Sequence, residues 1–306
     1  CIRDRKPTVA IIASIIGLLV IAFIVFYFNN KNASSDVTKP KDETLAATDN
    51  VVKQQSDIVD NLNAATPDPD AKRIAVLYFD SMNVFPKKPN SPMRDIFILS
   101  KGHAAPALYA ALAEAGYFDP AMLATLRQIG SPVEGHPNMR RLPGVEASTG
   151  SLGQGLSVGL GHALAARIDS YHYRVYVLIG DGESDEGQIW EAAMAAAKYR
   201  VDNLTAILDF NAYQQTGHVV QVMPALEPIV DKWQAFGWHV TEIDGHNLAE
   251  IMRALQTVKT ITDQPQMIIA HTLKGKGLSS FEKGNTRKHG EPLTPEEAAI
   301  AFTELE

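Results

Sequence analysis

The sequence predicts an α/β protein: a doubly wound, mainly parallel sheet with helices on both faces, preceded by one transmembrane helix. Three observations predict it. From about residue 73 onward, short β-branched runs alternate with longer helical segments, the pattern of strands joined by crossover helices. Two of these runs stop abruptly on Gly or polar residues, as parallel strands do where they reach a ligand crevice. Ahead of them, residues 9–28 form an apolar run without a charge.

Taken in order, residues 1–8 form a basic flank with Arg3, Arg5 and Lys6. Val9–Phe28, as a helix rising about 1.5 Å per residue, spans roughly 30 Å, the thickness of a bilayer's hydrocarbon core. The charges around it place the amino terminus in the cytoplasm and the remainder outside. Residues 29–72 are rich in Asn, Asp, Thr, Lys and Ala, with too few large apolar side chains to fold alone, and read as a polar linker. Within it Val51, Val52, Ile58, Val59 and Leu62 recur at helical spacing before Thr66-Pro67-Asp68-Pro69 ends the pattern.

Residues 73–306 read as the folded domain. Pro106 to Gly116 is a helix with Pro early and Gly just past the end. Gly153 to Arg167 is a second helix, and Ile189 to Tyr199 a third. Tyr173 to Ile179, Leu204 to Phe210, Trp238 to Ile243 and Met267 to His271 are strands, with a helix from Leu248 to Val258 between the last two. The formal net charge is -7, and Lys and Arg are scattered, so no basic field for nucleic acid exists. Cys1 is the only cysteine, which excludes an internal disulfide or a Cys-based metal site.

The most specific chemical feature is Gly180-Asp181-Gly182 directly after one strand, combined with Asn211 directly after the next. Mg²⁺ takes six oxygens in near-octahedral array, usually from one or two side chains plus phosphates. The Asp181 carboxylate, the Asn211 amide oxygen and a backbone carbonyl at Tyr213 supply three; diphosphate oxygens and water complete the shell, and Ca²⁺ or Mn²⁺ suits the same donors. The glycines beside Asp181 let the backbone approach a diphosphate, and the following helix aims amide groups at it. Gly153-Gln154-Gly155-Leu156-Ser157-Val158-Gly159 approximates a dinucleotide fingerprint. No good strand precedes it, however, and no ribose-binding acid follows, so close helix packing explains its small residues better.

Gly180-Asp181-Gly182 through Asn211 resembles the thiamine diphosphate motif, and its surroundings resemble transketolase. The segments are Phe97-Ile98-Leu99-Ser100-Lys101-Gly102-His103, Gly135-His136-Pro137 and Leu142-Pro143-Gly144-Val145-Glu146-Ala147-Ser148-Thr149-Gly150-Ser151-Leu152-Gly153-Gln154-Gly155, in family order. The similarity covers roughly Ile74 to Glu306 and corresponds to the amino-terminal, diphosphate-binding domain, as in the smaller subunit of a split transketolase. It implies two-carbon ketol transfer between sugar phosphates. It also implies thiamine diphosphate and a divalent cation as cofactors, a pyrimidine-binding partner subunit, and a dimer or heterotetramer. Phosphorylated sugars as substrates favour the cytoplasmic side for the domain, so the chemistry and the charges flanking residues 9–28 oppose each other.

Residue by residue, the resemblance gives the metal to Asp181, Asn211 and the Tyr213 carbonyl, and the diphosphate to Gly182. His103 lies beside the cofactor, and Gly150, Ser151 and Leu152 present backbone to its rings. His136 binds the donor sugar near its reacting hydroxyl, and His289 lies between diphosphate and substrate. Imidazoles suit these places because carbonyl addition and cleavage each move a proton near neutrality. Glu186 joins a carboxylate network across the dimer interface.

Transketolases also carry a Ser-Gly-His-Pro-Gly segment on their first helix, and nothing like it precedes Ile74 here. The active site is therefore expected to be more open to water, or short of one proton-transfer group. Two rival readings follow: a membrane-tethered, non-catalytic scaffold of the same fold, and another thiamine diphosphate enzyme such as a deoxyxylulose phosphate synthase or a dehydrogenase component. The Leu-Pro-Gly-Val-Glu-Ala-Ser-Thr-Gly run disfavours the latter.

Overall fold

The computed structural model describes residues 74, 77–279, 282 and 294–305. The expected transmembrane helix at 9–28, the linker at 29–72 with its amphipathic helix, and His289 lie outside the described residues. Among the described residues no helix is long and apolar enough to cross a membrane.

Strand β1 (Ile96–Leu99) leads through helix α1 (Ala105–Glu114) and α2 (Gln154–Ile168) to β2 (Val175–Gly180). Helix α3 (Gly187–Lys198) and strand β3 (Leu204–Phe210) follow. A two-residue hairpin, β4 (Tyr213–Gln214) and β5 (Gly217–His218), then precedes the short α4 (Val219–Val222), α5 (Ile229–Ala235) and β6 (His239–Asp244). Helix α6 (Leu248–Thr257), β7 (Gln266–His271) and α7 (Pro295–Leu305) complete the order.

Five strands form one sheet in the order β1-β2-β3-β7-β6, and every pairing in it is parallel. Successive residues of a strand point to opposite faces, and both faces are covered. Phe97, Leu99, Tyr176, Leu178 and Ile207 pack on the side of α1 and α6. Ile98, Val177, Ile179, Ala206 and Leu208 pack on the side of α2, α3 and α5. Double burial is why β2, β3 and β7 read as mostly apolar runs.

The topology follows from crossover handedness. The connections β2 to β3 and β3 to β6 step in one direction with α3 and α5 on one face; β6 to β7 steps back with α6 on the other. Keeping all three right-handed requires that change of face when the direction reverses.

Helix α2 lies unusually close to the sheet. A Cβ added at Gly155 would overlap Ser100 Cβ, and one at Gly159 would overlap Val177 Cγ2. The glycines one turn apart thus serve helix-to-sheet packing, the role their sequence context favours over a dinucleotide site. At the amino-terminal end of the sheet, Asp95 Oδ1 accepts from the Arg174 amide at 2.7 Å. The Arg174 guanidinium reaches Gln266 Oε1 at 2.8 Å and the Val258 carbonyl at 3.0 Å. This brace holds the strands at the end opposite the candidate site.

Candidate active site at the carboxyl ends of β2 and β3

Strands β2 and β3 pair with Gly180 opposite Asp209, so the loops that follow leave from neighbouring positions. Asp181 is the first residue after β2 and Asn211 the first after β3. The register of two buried strands thereby brings together two polar side chains distant in sequence.

Asp181 is 3% exposed. Its Oδ1 accepts from the Gly182 amide at 2.7 Å, while Oδ2 is buried with no hydrogen-bond partner. Burial raises its carboxyl to about 6 and the nearby Asp209 carboxylate pushes the same way; the Gly182 amide, Lys101 and the Ala212 amide pull it down. A buried carboxylate oxygen without a hydrogen bond is costly. A divalent cation would satisfy it.

Asn211 Oδ1 accepts from the Tyr213 amide at 3.0 Å, and its Nδ2 donates to Asp209 Oδ2 at 3.3 Å. An amide oxygen has two lone pairs, so one remains for a metal. The Tyr213 backbone sits in β4, and its ring meets His218 edge-on with centroids 4.9 Å apart. A Cβ added at Gly182 would lie 3.0 Å from Gln214 Cγ, so the β4–β5 hairpin folds over the Gly182 turn. Gln214 Nε2 donates to Asp185 Oδ2 at 2.9 Å and ties the two loops together. The Asp181 carboxylate, the Asn211 amide oxygen and the Tyr213 carbonyl are oxygen donors of the kind a small hard cation takes.

Behind them lies a buried ion pair. Lys101 Nζ is 2.5 Å from Asp209 Oδ2, and Thr272 Oγ1 donates to Asp209 Oδ1 at 2.5 Å. The half-buried Lys274 is close enough that burial and the Lys101 charge hold its ammonium below the usual lysine range, against the pull of Asp181 and Asp209.

The other expected residues among those described gather around the Thr149–Gly155 segment. A Cβ at Gly102 would fall 2.9 Å from the Thr149 carbonyl carbon and 3.0 Å from the Gly150 nitrogen, which sets the exposed His103 beside that backbone. His136 is also exposed, and a Cβ at Gly150 would meet its ring at 3.4 Å. Tyr109 Oη donates to the His136 carbonyl at 3.0 Å and holds that loop from below. Gly150 and Ser151 are exposed and Leu152 is half-buried. Glu186 is exposed at the start of α3, its Cβ facing Gly153, whose φ of +83° and close approach both demand glycine.

The family model described as "Transketolase, thiamine diphosphate binding domain" matches residues 47–305. This chain belongs to the transketolase family. It is 49% identical over 233 residues to the 6-deoxy-6-sulfo-D-fructose transketolase subunit SqwG of Clostridium sp. (strain MSTE9), covering 76% of this chain and 84% of that protein. It is 44% identical over 232 residues to an apulose-4-phosphate transketolase subunit of Phocaeicola vulgatus, with 76% and 82% covered. Human transketolase is 41% identical over 236 residues, which is 77% of this chain but only 37% of that enzyme. Among solved structures, Campylobacter jejuni transketolase superposes with a TM-score of 0.71 at 33% identity, covering 76% of this chain and 37% of the other. The chain thus spans most of the two subunit relatives and little more than a third of the full-length transketolases.

Two residues beside this site, Ser100 and Glu183, lie in or next to recognisable segments, but the sequence does not show that they meet. Glu183 is 3% exposed; its Oε1 accepts from the Ser100 hydroxyl and from the Gly153 amide at 2.9 Å, and its Oε2 from the Gly180 amide at 3.1 Å. Burial raises its carboxyl, opposed by those three donors and by Lys101. Ser100 Oγ in turn accepts from the Gly155 amide at 3.1 Å. One carboxylate therefore joins the end of β1, the turn before α2 and the Gly-Asp-Gly turn. The only signal in the sequence is an Asp or Glu at the end of an apolar run, as at Asp209. It names a buried acid without naming its partners.

Proposed function

We propose that this chain is the diphosphate- and metal-binding subunit of a two-chain transketolase, carrying thiamine diphosphate with Mg²⁺ or a similar divalent ion. The observation that carries it is the buried, unpartnered Oδ2 of Asp181, just past the end of a strand whose paired neighbour leads into Asn211. A cofactor of this class supplies the carbanion and electron sink for moving a two-carbon unit between a ketose and an aldose. This chain's part is to hold and orient. Asp181, Asn211 and the Tyr213 carbonyl would bind the cation, Gly182 would let the diphosphate approach, and Gly150 to Leu152 would line the cofactor's rings. His103, His136 and His289 would bind substrate hydroxyls and move protons at the reacting oxygens.

The relatives that match over most of their length are named as subunits, which supports the need for a partner chain with the pyrimidine-binding domain. Glu186 would join a carboxylate network across the dimer interface, and its exposure supports that role. By name, one relative acts on a sulfo-sugar and the other on a sugar phosphate, which supports ketoses with an anionic end as substrates. Anchoring through residues 9–28, and a folded domain beginning near residue 73, belong to the same proposal.

The test is calorimetric titration of thiamine diphosphate and Mg²⁺ into the full chain, with and without candidate partner subunits, followed by a two-carbon transfer assay on a panel of ketoses. Saturable binding lost in Asp181→Ala, and transfer only with the partner, are expected. Absence of binding in both settings, with Asp181→Ala indistinguishable from wild type, would overturn the reading in favour of a non-catalytic scaffold.

A further inference from the structure

Asn211 can serve a cation only if its amide presents oxygen rather than nitrogen, and the two ends of an amide are close in shape. Two fixed partners decide the orientation here. The Tyr213 backbone N–H, a donor, faces Oδ1 at 3.0 Å; the Asp209 carboxylate, an acceptor, faces Nδ2 at 3.3 Å. The Asp209 carboxylate is itself held, with Lys101 Nζ 2.5 Å from Oδ2 and Thr272 Oγ1 2.5 Å from Oδ1. Asp209 is 3% exposed and sits on β3, and Lys101 is 5% exposed.

We propose that Asp209 is a positioning residue for the metal ligand Asn211: clamped by Lys101 and Thr272, it holds the amide nitrogen and so turns the amide oxygen to the cation. The proposal rests on the metal site proposed at Asp181 and Asn211. It does not make Asp209 a ligand. A partner that orients a metal ligand changes affinity through that ligand, typically about 10- to 100-fold when removed.

The test is Mn²⁺ binding to the full chain at saturating thiamine diphosphate, read by calorimetry and by the Mn²⁺ paramagnetic resonance signal. Four proteins form a cycle: wild type, Asp209→Asn, Asn211→Ala and the double variant. Asp209→Asn is expected to weaken Mn²⁺ binding about 10- to 100-fold alone, and less than about 3-fold in the Asn211→Ala background. Because that variant leaves Lys101 buried without its carboxylate, Asp209→Asn with Lys101→Met is measured as well. Its melting temperature should recover toward wild type while its Mn²⁺ affinity stays low. Equal weakening in both backgrounds would show direct attraction of the cation by the Asp209 charge and overturn the proposal, as would unchanged affinity in Asp209→Asn. If wild type binds no Mn²⁺, the metal site itself fails, and that result is distinct from either.

Discussion

The Ser100 hydroxyl donates to the carboxylate of Glu183 across 83 residues of sequence, inside the core and directly beneath the Gly-Asp-Gly turn. The same carboxylate takes amide hydrogens from Gly153 and Gly180, so its removal strands three donors at once. Each buried donor left without a partner costs about 1–3 kcal/mol. Glu183→Ala is therefore expected to lose at least about 2 kcal/mol in urea unfolding and to weaken thiamine diphosphate binding. Glu183→Gln, which still accepts at one oxygen but turns an amide N–H toward a donor, should lose less than Glu183→Ala. An alanine variant as stable as wild type would rule out the bridging role.

Asp181 gives a pH dependence with a definite sign. Its folded value of about 6 lies above the ordinary 3.8, so the folded protein holds a proton that the unfolded chain has released. Stability contributed by this group is then present below about pH 4 and lost as the pH rises through about 6. Asp181→Asn removes the loss. In metal-free buffer it should exceed wild type by about 1–3 kcal/mol at pH 7.5 and by much less near pH 4. Its affinity for Mg²⁺ should collapse. Unfolding curves at both pH values check the first part, and a constant difference between them would contradict it.

Gly159 faces Val177 at a distance that leaves no room for a methyl group. Gly159→Ala should push α2 from the sheet and cost about 1–3 kcal/mol, against the usual gain from replacing a helical glycine by alanine. Gly161, a fraction of a turn away and facing open space, is the control: Gly161→Ala should be neutral or stabilising. Thermal melts of the two variants decide the matter. Similar shifts in the two would mean that α2 does not sit as close as it does here.

His103 and His136 are exposed, so each can be replaced without emptying the core. His136→Ala and His103→Ala should stay within about 0.5 kcal/mol of wild-type stability. With the partner subunit present, two-carbon transfer should fall about 10²- to 10⁴-fold where the lost group moved a proton. A loss of activity that tracks a loss of stability would point to a structural role.

Double burial makes much of this fold legible in the sequence. Strands covered on both faces are mostly apolar, and Leu204–Phe210 stands out in the sequence with the bounds it has in the fold, despite Thr205 and Asp209 within it. Helices α2, α3 and α6 are equally plain from periodicity and small residues. Strand β1 carries a family motif but does not read as a strand, because four residues ending in Ser-Lys-Gly look like loop. The β4–β5 hairpin leaves no apolar trace; it is set by Gln214 against Gly182 and by the Asp185 contact. Asp181, Asn211, His103 and His136 are visible through local motifs. Lys101 with Asp209, and Ser100 with Glu183, are not, because a buried pair is recognisable only once the sheet supplies the neighbour.

The Lys101–Asp209 pair joins residues 108 apart, and Thr272 reaches Asp209 from 63 residues on. Contacts of that separation form late, since much chain must be ordered before they can close, and parallel pairing is slow for the same reason. The candidate cation site is therefore expected to be among the last parts of the domain to form on the way to the folded state. A cofactor that recognises only the finished pocket can do little for the rate of folding. It should act on the reverse step, lengthening the lifetime of the folded chain once it has arrived.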